Sequence, residues 1–110
     1  MGLRYNFYGC YMRLDELSHY KERIYSIAAK YRIKQVYVFG SVARGMGDEK
    51  SDVDFLIEME DGASALGIGG FQYEVQQLLG IPIDVVPTYL LPRIDDRDFV
   101  INVENEAVAI

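Results

Sequence analysis

Apolar positions along this chain change their spacing several times, and each change marks an element. Between residues 15 and 31 they recur at three- and four-residue steps, through Leu17, Tyr20, Ile24, Ile27, Ala28 and Tyr31. That period predicts one amphipathic helix. Asp15 and Glu16 suit its positive end, and Lys30 and Arg32 its negative end. Residues 35–39, Gln-Val-Tyr-Val-Phe, are β-branched and aromatic and predict a strand that stops at Gly40. Residues 41–45 should turn into a short helix, and Met46 to Lys50 read as a polar turn. A second strand is expected over 52–59. The stretch 62–70 holds Gly62, Gly67, Gly69 and Gly70 and predicts a mobile loop. Phe71, Val75, Leu78 and Leu79 return to helical spacing, closed by Gly80 as a C-cap. Residues 82–87 read as a third strand bounded by prolines. Pro92 suits the first turn of a last helix to about Asn105, and Val108 to Ile110 suit a terminal strand.

The order helix, strand, strand, helix, strand, helix predicts an α/β (α+β) fold with a small mixed β-sheet packed with helices. The short connection over 46–51 allows an antiparallel first pair, and the longer crossover over 62–80 a parallel second pair. Residues 1–13, with Tyr5, Phe7, Tyr8 and Tyr11, follow neither period. They read as an aromatic leader ahead of a domain over 14–110, and Met12 is a candidate natural start.

Composition narrows the class. At 110 residues with half of them apolar, the chain suits one globular domain. No apolar run approaches the ~20 residues that span a bilayer. Arg4, Asn6 and Arg13 interrupt any signal-peptide core, so a cytoplasmic location with no membrane contact is expected. Cys10 is the only cysteine and His19 the only histidine, which excludes an intrachain disulfide and a cysteine-built zinc site. Charge is divided unevenly. Residues 1–47 carry eight Lys/Arg against three Asp/Glu, and residues 48–110 carry three against fourteen. The acidic part suits cations or a basic protein partner and is a poor direct surface for nucleic acid.

The candidate chemistry lies between the first two strands. Gly40-Ser41 ends the first; Gly allows close backbone approach, the following amides attract anions, and Ser41 adds a hydroxyl. Arg44 can reach an anion or brace the loop. No Gly-Lys-Ser/Thr follows, so this is not a P-loop. Asp52 and Asp54 alternate with Val53 and Phe55 and so share one face of the second strand. Two neighbouring carboxylates call for a cation, and Mg²⁺ takes a few carboxylates together with phosphate oxygens and water. Asp84 stands between Ile83 and Val85, where burial without a partner would cost several kcal/mol. If its strand lies beside 52–57, Asp84 joins Asp52 and Asp54.

Gly-Ser, ten residues, Asp-x-Asp and a later strand Asp, with Ala43, Arg44 and Gly45 after the Gly-Ser, resemble the polymerase-β-like nucleotidyltransferase superfamily. At this length the chain resembles its minimal nucleotidyltransferases (MNT), commonly the MntA-type antitoxins of HEPN–MNT toxin–antitoxin pairs. The resemblance runs from about residue 14 to the end. It implies that Asp52, Asp54 and Asp84 hold one or two Mg²⁺ ions and are catalytic, that Asp84 activates the acceptor hydroxyl, and that Gly40 and Ser41 hold the ATP phosphates. It implies a protein adenylyltransferase, an antitoxin of the type VII kind, that moves AMP from ATP to a tyrosine hydroxyl of a partner HEPN ribonuclease. The alternatives are an antitoxin that only masks its toxin, or transfer to RNA ends or a small molecule. The glycine-rich stretch 62–70 and the leader depart from the family pattern.

Overall fold

Both faces of one four-stranded sheet are apolar, and different helices cover each. The computed structural model describes residues 13–43 and 53–110, with the backbone alone at Ser41. The leader up to Met12, with Cys10, lies outside the described residues, as do Arg44, the turn over 46–50 and Asp52. The elements are α1 (Leu14–Ser18), α2 (Lys21–Lys30), β1 (Ile33–Phe39), α3 (Gly40–Ala43), β2 (Val53–Met59), α4 (Leu66–Leu79), β3 (Ile83–Pro87), a 3-10 helix (Thr88–Arg93), α5 (Arg97–Glu106) and β4 (Val108–Ala109). The sheet order is β3-β2-β1-β4. As the connection lengths predict, β1 pairs antiparallel with β2, and β2 pairs parallel with β3. The terminal strand pairs antiparallel with β1.

Alternation along the strands builds the two cores. Val36, Val38, Val53, Phe55, Ile57 and Ile83 meet Leu17, Ile24 and Ala28 of α1 and α2 and Phe71, Val75 and Leu79 of α4. Phe55 and Phe71 pack edge to face at 6.1 Å, the arrangement aromatic quadrupoles favour. On the other face, Phe39 and Leu56 meet Leu91, Val100 and Val103. An irregularity in β1 between Ile33 and Gln35 brings Ile33 and Val36, three residues apart, into the same core.

Three expected elements differ. The helix expected over 15–31 is two, broken at His19–Tyr20. Ser18 Oγ donates to Asp15 O (2.7 Å), and the amides of His19 and Tyr20 bond three residues back, which tightens and ends the turn. Leu17, Ile24 and Ala28 stay in one core, so the apolar period runs through the break. The last helix is also two. Pro92 lies inside the 3-10 helix, and α5 starts afresh at Asp96, whose carboxylate accepts from Phe99 N–H (3.1 Å). The loop expected over 62–70 is half helix, because α4 begins at Leu66. A Cβ on Gly70 would stand 2.6 Å from Tyr31 Cζ, and one on Gly67 3.2 Å from Tyr31 Cβ. Those glycines admit the Tyr31 ring against α4. Gly80 caps α4 in the left-handed conformation, φ 73°.

Tyr31 and Lys30 both donate to Glu74 of α4, Lys30 at 2.6 Å. The Lys30 hydrogen bond first, then that of Tyr31, holds the Glu74 carboxyl below the usual carboxylate range. The same bonds raise Lys30 and Tyr31. Among the described residues no helix is long and apolar enough to cross a membrane.

Two stability measurements check this packing. Gly69 has open space where a Cβ would go, so Gly69→Ala should stabilise by up to about 1 kcal/mol through helix propensity. Gly70→Ala should instead destabilise by about 1–3 kcal/mol, because the Tyr31 ring must move; chemical denaturation compares the two. A depressed carboxylate stabilises above its unfolded-state pKa and loses that contribution as pH falls through the folded value. Glu74→Gln should therefore lower the melting temperature at neutral pH, with the gap to the unchanged protein closing as the medium turns acid.

Candidate functional site

β1, β2 and β3 come together at one end of the sheet, and their apolar pattern stops there. Parallel register sets Asp54 opposite Asp84, one step beyond the Val53–Ile83 pair that enters the core. Antiparallel register sets Phe39, the last residue of β1, opposite Asp54. Gly40 then turns the chain out of the sheet with φ +78°, a left-handed conformation that side chains disfavour. Space makes the same demand. A Cβ on Gly40 would collide with Asp54 Oδ2 and stand 3.3 Å from Asp54 Cγ. The missing side chain is what lets the Asp54 carboxylate lie against the Gly40 backbone.

These residues line one cavity of about 450 Å³, a nucleotide-sized space. Its floor is the sheet end, with Phe39, Gly40, Asp54, Asp84, Val85 and Val86. Gln72 of α4 forms one wall, and Phe99, Asn102, Val103 and Glu106 of α5 form the other. Phe99 packs edge to face on Phe39 at 6.1 Å, which fixes α5 against the end of β1. Asp84 is exposed to this cavity, and Asp54 is half-buried. Asp84 escapes the cost of burial because it points opposite to the core-facing Ile83.

Of the residues singled out in the sequence, Gly40, Asp54 and Asp84 are brought together. Ser41 follows Gly40 in the backbone of α3; its side chain, Arg44 and Asp52 lie outside what is described. Among the described residues no three acids form a complete metal cluster. The donor set nonetheless suits Mg²⁺, which needs few protein carboxylates when phosphate oxygens and water complete its shell. Asp54 and Asp84 supply two hard oxygen donors on adjacent strands, and the cavity beside them leaves room for the rest. The α5 wall escaped the sequence reading. Its signal was there at positions 99, 102, 103 and 106, a single helical face of mixed polarity, but it was masked by expecting that helix to begin near Pro92.

Comparison with known proteins gives the family and the fold. Residues 21–110 match the nucleotidyltransferase domain model. MJ0435 of Methanocaldococcus jannaschii, named as a candidate protein adenylyltransferase, is 36% identical over 101 residues, covering 90% of this chain and 99% of its own. A solved structure described as a candidate minimal nucleotidyltransferase is 32% identical, with a TM-score of 0.72 over 90% of this chain and 97% of that one. The fold alone is shared with the structure of a tri-AMPylated Shewanella oneidensis HEPN toxin in complex with its MNT antitoxin, at 14% identity and a TM-score of 0.57 over 84% and 69% of the two chains. This chain therefore belongs to the nucleotidyltransferase family.

Proposed function

We propose that this chain is a protein adenylyltransferase that transfers AMP from ATP to a tyrosine hydroxyl of a HEPN-type toxin and thereby neutralises it. The observation that carries the chemistry is the register pairing of Asp54 with Asp84 beside the Gly40 turn, in one nucleotide-sized cavity. The acceptor class is supported by the name of MJ0435 and by the AMPylated toxin bound to a protein of similar fold.

In this reading Asp54 and Asp84, with Asp52, would hold Mg²⁺, and the cation would supply positive charge against the triphosphate. The Gly40–Ser41 backbone takes the β- and γ-phosphates at close approach, and Arg44 reaches an anion or braces the loop. The acceptor oxygen attacks the α-phosphorus in line, and the bond from that phosphorus to the β-bridging oxygen breaks. The proton of the acceptor hydroxyl passes to Asp84. The α5 wall encloses the reacting groups and limits the entry of water. The acidic part of the chain suits a partner with a basic surface.

Intact-mass spectrometry of the co-encoded neighbouring protein tests the proposal directly. Incubation with this chain, ATP and Mg²⁺ should add about 329 Da per AMP unit, and only with the metal present. Asp54→Asn and Asp84→Asn should each lower the transfer rate on the order of 10²-fold or more, as loss of a charge-stabilising group at a reacting centre does. A stable complex without added mass would leave a masking antitoxin instead. Gly40→Ala should reduce transfer about tenfold or more with the fold retained, because the new methyl displaces the Asp54 carboxylate. Circular dichroism, run beside the transfer assay, separates that loss from unfolding.

A further inference from the structure

Among the described residues the outer edge of β3 meets no further strand, and two glutamines bond to it there. Alternate residues of a parallel pair turn their backbone groups toward the partner. Val53 N–H bonds to Pro82 O at 3.4 Å, so Ile83 carries its N–H and C=O on the opposite side, away from β2. There Gln72 Nε2 donates to Ile83 O at 3.0 Å, and Gln76 Oε1 accepts from Ile83 N–H at 3.2 Å. The two side chains stand one turn apart on α4 and reproduce the donor and acceptor that a neighbouring strand would offer. Ile83 is 2% exposed, so its backbone groups would lose free energy if left unpaired.

Ile83 immediately precedes Asp84. We propose that Gln72 and Gln76 are positioning residues that hold β3 where Asp84 stands beside Asp54, and so set how tightly the acidic pair holds a divalent cation. The inference rests on the cation role proposed for that pair. Gln72 also lines the cavity, so substitution there acts both directly and through β3. Gln76 does not line it. An effect of Gln76 on metal binding must therefore travel through Ile83. The requirement is also polar in sense, because position 72 must donate and position 76 must accept.

The test uses the full chain, with Mn²⁺ as the probe, its binding followed by electron paramagnetic resonance in the presence of a non-hydrolysable ATP analogue. Amide exchange at Ile83 is read in parallel by NMR. Gln76→Ala should weaken Mn²⁺ binding about tenfold, the usual cost of removing a group that orients a metal ligand, and should speed exchange at Ile83. Gln76→Glu keeps an acceptor and should return both readouts toward those of the unchanged protein. Gln72→Glu sets a carboxylate against the Ile83 carbonyl and should speed exchange at Ile83, the readout that its place in the cavity leaves clean. This isosteric pair carries the test even if the alanine variant does not fold. A folded Gln76→Ala protein with unchanged Mn²⁺ affinity, or Glu variants at 72 and 76 that exchange alike at Ile83, would overturn the proposal. Asp84→Asn separates the two levels. If it binds Mn²⁺ as tightly as the unchanged chain, the acidic-pair reading itself fails. If it loses binding while Gln76→Ala does not, only the clamp fails.

Discussion

Register between β2 and β3 is the constraint on which the candidate site depends. Pairing runs from Val53 with Ile83 to Ile57 with Pro87 and sets Asp54 against Asp84 on the way. A slip by one residue would turn one strand's side chains to the other face. Asp84 would enter the core, or Ile83 would enter the cavity. Burial on both sides opposes that slip. Val53, Phe55, Ile57 and Ile83 belong to the core under α1, α2 and α4, and Leu56 and Val86 to the one under α5. The acids occupy the second face just where that core gives way to the cavity, so the register that buries the apolar residues also gathers the carboxylates without burying their charge.

A small sheet has two edges for few strands, and here helix side chains bond to β3 at one side and to β1, beyond the short β4, at the other. At one side β4 pairs only with Tyr37 and Val38, and Ile110 N–H reaches Val36 O. The Tyr25 hydroxyl of α2 completes that edge, accepting from Val36 N–H at 3.0 Å and from Gln35 Nε2 at 2.7 Å. At the other side Gln72 and Gln76 serve Ile83. The same two helices that fill the larger core thus carry polar groups to the strand edges. Unpaired edges invite pairing with other chains. Pairing strand groups with helix side chains ties strand position to helix position. For β3 that coupling reaches Asp84, so packing of α4 on α2, through Tyr31 and the glycines, bears on the geometry of the acidic pair.

Much of this was legible in the sequence, for identifiable physical reasons. Strand alternation put Asp54 opposite in direction to Val53 and Phe55, and connection lengths gave the sense of both strand pairs. Gly40 was legible because few residues can end a strand in a left-handed turn. Failures came where tertiary contacts override local preference. Four glycines within nine residues argue for a loop, yet the helix starts at Leu66, because Phe71, Val75 and Leu79 bury one side of it while Gly67 and Gly70 admit Tyr31. The breaks at His19 and Ile94 leave the apolar spacing nearly intact, and hydrophobic period alone does not register them.

The glutamines were invisible for a deeper reason. A side chain that offers both a donor and an acceptor has no directional signature in sequence until the strand it serves has been placed. Gln72, Gln76 and Gln77 look like ordinary polar positions on a solvated helix face. Only the parity of the β2–β3 ladder decides that Ile83, and not Asp84, presents its amide and carbonyl outward. That parity makes position 72 a donor to the ladder and position 76 an acceptor from it. With the opposite parity, Asp84 would carry the outward groups and the glutamines would bond to the backbone of the acid itself. As it stands, they hold the residue before Asp84 and leave the backbone of Asp84 to β2, while its carboxylate faces the cavity.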